Sequence, residues 1–153
     1  MGAKSVQTQP GHVLLIEDNQ DDIDLTLRAL RLNDVDNEVV VVRDGAAAVD
    51  YLLRSDRAGP GDSLPRLVLL DINLPKVSGL DVLRRLRENE RTRVLPIVML
   101  STSSHDRDVR ESYASGANSY IVKPVSFGEF TETVRQLGAY WLLLNHGPWS
   151  TQP

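Results

Sequence analysis

Five short apolar runs punctuate the chain: VLLIED from Val13, EVVVVRDG from Glu38, RLVLLD from Arg66, LPIVMLS from Leu95 and SYIV from Ser119. Each is continuous rather than alternating, which predicts strands buried on both faces. The intervening segments carry a helical period. DDIDLTLRALRLN places Ile23, Leu27 and Leu30 on one side, and GLDVLRRLREN does the same with Leu80, Val82, Leu83 and Leu86. AAAVDYLLRS and SHDRDVRESYASG predict two more helices, with Gly116 as a stop for the second. Lys123-Pro124 ends the fifth run, and a last helix is expected from about Ser126 to Leu144. DRAGPGDSLP, rich in Gly and Pro, predicts a loop before the third strand and excludes a further helix there.

Strand and helix therefore alternate five times. Parallel strands joined by helical crossovers give a doubly wound α/β fold in a single domain. The expected organisation is a disordered segment over 1–11, the domain over 12–145 and a tail over 146–153.

Composition narrows the function. The chain has 153 residues, enough for one full core, and a formal net charge of −4, which gives no general attraction to nucleic acid or anionic membrane. The absence of cysteine removes disulfides, thiolate metal sites and cysteine nucleophiles. No apolar run reaches the roughly 20 residues of a membrane span, and MGAKSVQTQPG has no apolar core of a secretory signal. Val6 stands where a myristoylation signal wants Ser or Thr. A cytoplasmic location is the expectation.

The polar residues that close the apolar runs carry the chemistry. Glu17 and Asp18 follow the first run, Asp71 ends the third, Ser101 and Thr102 end the fourth, and Lys123 follows the fifth. In an open parallel sheet these carboxyl ends share one edge, where ligands bind. Three carboxylates brought together repel unless a cation intervenes. Oxygen donors without His or Cys favour a hard ion, Mg²⁺ over Zn²⁺. Lys123 offers a point charge for a phosphate oxygen, and a carboxylate beside Mg²⁺ is a competent phosphoryl acceptor. Taken singly, EDNQDD also reads as helix N-terminal acids, Lys-Pro as a turn, and Ser101 and Thr102 as ordinary strand ends. Asp71 resists such a reading, because INLPKVSG starts no helix for it to cap.

Over roughly residues 12–140 the chain resembles the receiver domain of two-component response regulators. EDN, LLDINLPKVSG, VMLSTSS and YIVKP carry the resemblance. It implies a flavodoxin-like sheet of five parallel strands in order 2-1-3-4-5. It further implies that Asp71 takes a phosphoryl group from a sensor histidine kinase. Glu17 and Asp18 correspond to the acidic pair that holds Mg²⁺ together with Asp71, and the Asn73 carbonyl to a further ligand. Ser101 corresponds to the switch hydroxyl, Tyr120 to the switch aromatic, and Lys123 to the lysine that pairs with the phosphoryl group. The bond to Pro124 is expected to be cis, and Asn73 and Ser103 to tune phosphoryl lifetime. Glu17 in place of Asp, Ser101 in place of Thr, and Leu74 and Ser78 in the turn depart from the commonest residues without removing an essential chemical group. The SDRAGPGDSLP loop and the LGAYWLLLNHGP tail resemble the small regulators that partner bacterial phytochrome-type kinases. That group implies a homodimer through the fourth helix, fifth strand and fifth helix.

The last helix points to an interface on its own account. Phe127, Phe130, Val134 and Leu137 form a core stripe, but YWLLL is apolar all round and no single face can bury it. His12, His105 and His146 are scattered, and RRLRENERTR mixes charge signs as a solvated face does. The other functions compatible with an acceptor aspartate are a relay to a histidine phosphotransfer protein and a Mg²⁺-dependent aspartyl-phosphate phosphatase. The phosphatase reading needs an acid two residues after the nucleophile, where Asn73 stands. Nucleotide binding lacks a Gly-rich phosphate loop after the first strand. The expectation is a signalling switch and not a turnover enzyme.

Overall fold

The computed structural model describes residues 11–54 and 64–148. Strands β1 (Val13–Ile16), β2 (Val39–Val42), β3 (Leu67–Leu70), β4 (Ile97–Ser101) and β5 (Ser119–Val122) form one parallel sheet in the order β2-β1-β3-β4-β5. Helices α1 (Gln20–Leu32), α2 (Gly45–Leu53), α3 (Gly79–Glu88), α4 (Asp106–Ala114) and α5 (Phe127–Gly138) make the crossovers and the final cover. The five-strand, five-helix pattern expected from the apolar runs is the one observed. The predicted loop DRAGPGDSLP lies outside the described residues except for Leu64 and Pro65, as do residues 1–10 and 149–153.

Because side chains alternate along a strand, each strand feeds two cores. Leu14, Ile16, Val68, Leu70, Ile97 and Met99 pack beneath α2 and α3 on Ala48, Leu52, Val82, Leu83 and Leu86. Val13, Leu15, Leu67, Leu69 and Val98 face the other way, onto Ile23 of α1 and Leu137 of α5. Each such fully buried aliphatic contributes roughly 1.5–3 kcal/mol by leaving water. The starts of α1, α2, α3 and α5 are fixed by side-chain caps: Asn19 accepts from the Asp22 N–H, Asp44 from Ala47, Ser78 from Asp81 and Ser126 from Glu129. Gly116, at φ +109°, turns the chain after α4 in a conformation that disfavours a side chain.

The last helix differs from the uninterrupted one expected. After Gly138 it widens into a π-helical segment, Ala139–Leu144, closed by a bond from the Asn145 N–H to the Tyr140 carbonyl at 2.6 Å. An i to i+5 repeat sets Leu142, not Trp141, in line with Leu137. Leu142 is fully buried in the core of β1, β3 and α5, while Tyr140 and Leu144 are exposed. The apolar run without a period is thus split between core and surface.

Two glycines let the segment after β3 fold tightly over the sheet edge. A Cβ on Gly79 would come within 2.0 Å of the Asp71 carbonyl oxygen, and one on Gly45 within 1.9 Å of the Val77 carbonyl oxygen. The Gly79 N–H donates to the Ile72 carbonyl at 2.8 Å, and the Gly45 N–H to Pro75 at 3.2 Å. Gly79→Ala should therefore destabilise the fold by about 2 kcal/mol or more. Gly128→Ala, where nothing lies within 4 Å of the new methyl, should be neutral or slightly stabilising. Urea denaturation checks both, and an unchanged midpoint for Gly79→Ala would contradict this packing.

Candidate functional site

The sheet ladder runs one residue past the strands and fixes the polar residues there. The Glu17 N–H donates to the Val42 carbonyl at 3.0 Å, the Asp71 N–H to Ile16 at 3.1 Å, and the Lys123 N–H to Ser101 at 2.8 Å. Backbone hydrogen bonds of neighbouring strands thus set the spacing of Glu17, Asp71 and Lys123. Carboxylate oxygens of Glu17, Asp18 and Asp71 all lie within 4.8 Å of one another. Glu17 is buried, Asp71 half-buried and Asp18 exposed.

This crowding has an electrostatic cost that is visible at Asp71. Burial first, and then the neighbouring Glu17 carboxylate, push its pKa up to about 7, against the opposing pull of Lys123 and a backbone hydrogen bond from Asn73. The Lys123 ammonium donates to Glu17 and, at 3.0 Å, to Asp22. Burial alone would lower the Lys123 pKa, but these hydrogen bonds outweigh it and hold the group above its ordinary value. Burial and the neighbouring carboxylate, which together raise the Asp71 pKa to about 7, suit a hard divalent cation, whose charge would favour the ionised form.

The hydroxyl side of the pocket forms a second network. Ser101 is fully buried, and its Oγ accepts from the Ser103 N–H at 3.2 Å. The Tyr120 hydroxyl donates to the Ser103 carbonyl at 2.7 Å. The Ser103 hydroxyl donates to the carboxylate of Asp108, in the first turn of α4. Ser103 therefore joins Ser101, Tyr120 and α4.

Glu17, Asp18, Asp71, Asn73, Ser101 and Lys123 all gather at this edge, and Tyr120 reaches it through Ser103. Asp22 and Asp108 were not anticipated as members. Asp22 reads in sequence as a helix first-turn acid, and its one-turn offset from Asp18 is the only signal that it could face the pocket. Asp108 carries no signal, since its link to Ser103 depends on the path of the loop. The bond to Pro124 is trans, because no cis peptide bond occurs among the described residues. This corrects the expectation of a cis bond. Trans is the intrinsically favoured form before proline, by about 0.5–1 kcal/mol, and here Lys123 already satisfies both its N–H and its ammonium.

Residues 13–135 match the response regulator receiver domain family. The chain belongs to that family. The receiver is 43% identical over 139 residues to the probable methanogenesis regulatory protein FilR2 of Methanothrix harundinacea, covering 91% of this chain and 88% of that protein. It is 34% identical over 135 residues to the response regulator Rcp1 of Synechocystis sp., covering 87% and 90%. The crystal structure of the Mn²⁺-bound form of Rcp1 matches with a TM-score of 0.80 at 32% identity, over 92% of this chain and all of that one. The crystal structure of the phosphorylated cyanobacterial phytochrome response regulator RcpA matches with a TM-score of 0.83 at 36% identity, over the same shares. The receiver is thus a phospho-acceptor module of two-component signalling, a family that works with histidine kinases. No helix among its described residues is long and apolar enough to cross a membrane.

A carboxyl group whose pKa is raised on folding destabilises the fold once it must ionise. The effect is absent below the ordinary value of 3.8, grows as the pH rises, and is complete above about 7. In chelator, the stability advantage of Asp71→Asn over wild type should therefore increase from pH 5 to pH 8, by on the order of 2 kcal/mol. Urea titrations at the two pH values test this, and a constant difference would contradict it.

Proposed function

We propose that this chain acts as a single-domain response regulator in which Asp71 accepts a phosphoryl group from a sensor histidine kinase. The observation that carries this reading is the meeting of Glu17, Asp18 and Asp71 within 4.8 Å, with the Lys123 ammonium on Glu17. An ionised Asp71 oxygen forms the new bond to phosphorus as the phosphorus–nitrogen bond of phosphohistidine breaks and its electron pair stays on the imidazole. Glu17, Asp18, Asp71 and the Asn73 carbonyl would hold Mg²⁺, which when bound neutralises charge on the carboxylates and on the phosphoryl oxygens. Lys123 then leaves Glu17 for a phosphoryl oxygen. The Ser101 hydroxyl, whose oxygen accepts from the Ser103 N–H, turns its own proton toward another, and Tyr120 follows through its bond to Ser103. Asn73, two residues after Asp71, supplies no proton-transfer group for rapid hydrolysis. The acyl phosphate is therefore kept as a signal.

Likeness to RcpA over that protein's full length supports a phytochrome-type kinase as the donor. Exposed Tyr113 on α4, Val122 on β5, and Tyr140 and Leu144 at the end of the last helix support a homodimer through the α4–β5–α5 face. The reaction suits a cytoplasmic location, where kinase and phosphodonor are made.

Radiolabelled acetyl phosphate with Mg²⁺ should label wild type at a hydroxylamine-labile site and leave Asp71→Asn at background. Labelling of Asp71→Asn to the wild-type extent would sink the assignment. Lys123→Ala should still label but lose the conformational response. Light scattering with beryllofluoride should show a dimer that Leu144→Asp weakens at least tenfold. A strict monomer at high concentration, with and without the analogue, would refute the interface.

A further inference from the structure

Lys123 serves two masters in the pocket, and only one of them belongs to the acidic cluster. Its ammonium donates to Glu17, within the cluster, and at 3.0 Å to Asp22, outside it. The Lys123 side chain is 7% exposed and that of Asp22 30%, so the pair is largely withdrawn from water. Asp22 is held in place from two directions. Its N–H donates to the Asn19 side chain at 3.0 Å, and its carbonyl accepts from the Thr26 hydroxyl at 2.7 Å. Beside the pair lies a cavity of about 140 Å³, lined by Asp22, Leu25, Thr102, Lys123 and Phe127 among others.

The Lys123 ammonium is a single point charge shared between its two carboxylate partners, so a shift toward a new anion draws it from both. A divalent cation at the cluster repels it from Glu17, and a phosphoryl group on Asp71 attracts it. Asp22 competes with that phosphoryl group, because a charge-assisted bond in a desolvated site is given up only at a cost. We propose that Asp22 is a positioning residue that holds Lys123 on the α1 side of the pocket and thereby weakens the phosphorylated state. The proposal rests on the phospho-acceptor reading of Asp71. Asp22 touches no reacting atom and acts only through Lys123.

The test is calorimetric titration of the full chain with beryllofluoride at saturating Mg²⁺. Asp22→Asn, which keeps shape and loses charge, should bind the analogue about fivefold more tightly than wild type. Asp21→Asn, an exposed acid in the same first turn, should change binding less than twofold. In a Lys123→Gln background the gain from Asp22→Asn should vanish. In chelator, without metal or analogue, Asp22→Asn should lower the urea midpoint only when Lys123 is present. An equal effect of Asp21→Asn overturns the proposal, as does a gain that persists without Lys123. Wild type that fails to bind beryllofluoride at all overturns the phospho-acceptor reading itself, a result distinct from the other two.

Discussion

Repulsion among three carboxylates at one sheet edge is the constraint around which this protein is arranged. Register is what imposes it. The backbone bonds that extend β1, β3 and β5 by one residue leave Glu17, Asp71 and Lys123 no freedom to move apart. Negative charge gathered in this way must be balanced, because burial weakens the screening that water would give. Without a divalent cation the balance leans on two makeshift sources, the Lys123 ammonium on Glu17 and a raised proton affinity at Asp71. Both are displaceable. A pocket neutralised by groups that can leave is ready to receive a stronger cation and an incoming anion together.

The route out of the pocket is equally specific. Ser101 has no path to solvent, and its hydroxyl is already engaged with the Ser103 N–H. Any partner that claims that hydroxyl changes the environment of Ser103, which also holds Tyr120 through its carbonyl and α4 through Asp108. One serine therefore couples an event at a strand end to the helix whose exposed Tyr113 lies on the outer surface. The coupling is carried by three hydrogen bonds within a few residues and needs no long chain of contacts.

Most of the fold and most of the site were legible in the sequence, for a physical reason. Strands buried on both faces must be continuously apolar, so a charged residue that ends such a run stands out, as Asp71 and Lys123 do. Topology then brings those ends together. What escaped were features set by side-chain reach and local winding. Asp22 has the same appearance as the helix-capping acids around it, and only its approach to Lys123 gives it a role. Asp108 is joined to Ser103 by a loop whose course no periodicity records. The π-helical segment after Gly138 was hidden because AYWLLL is apolar at every position and favours no winding over another. Trans geometry at Pro124 was missed because the resemblance implied the other isomer.

The tight fit of Gly79 against the Asp71 carbonyl, and of Gly45 against Val77, has a further consequence. Neither residue bears a functional group, yet together they press the segment carrying Asn73 into one shape before anything binds. The pocket is preorganised. Ordering of that segment is completed during folding, so ligand entry is relieved of the entropy loss that a loose loop would add. The main chain at the acceptor is also left without slack. A path from the pocket to the surface then runs through the β4–α4 segment, where Ser103 joins Ser101, Tyr120 and Asp108, rather than through the tightly packed turn after β3.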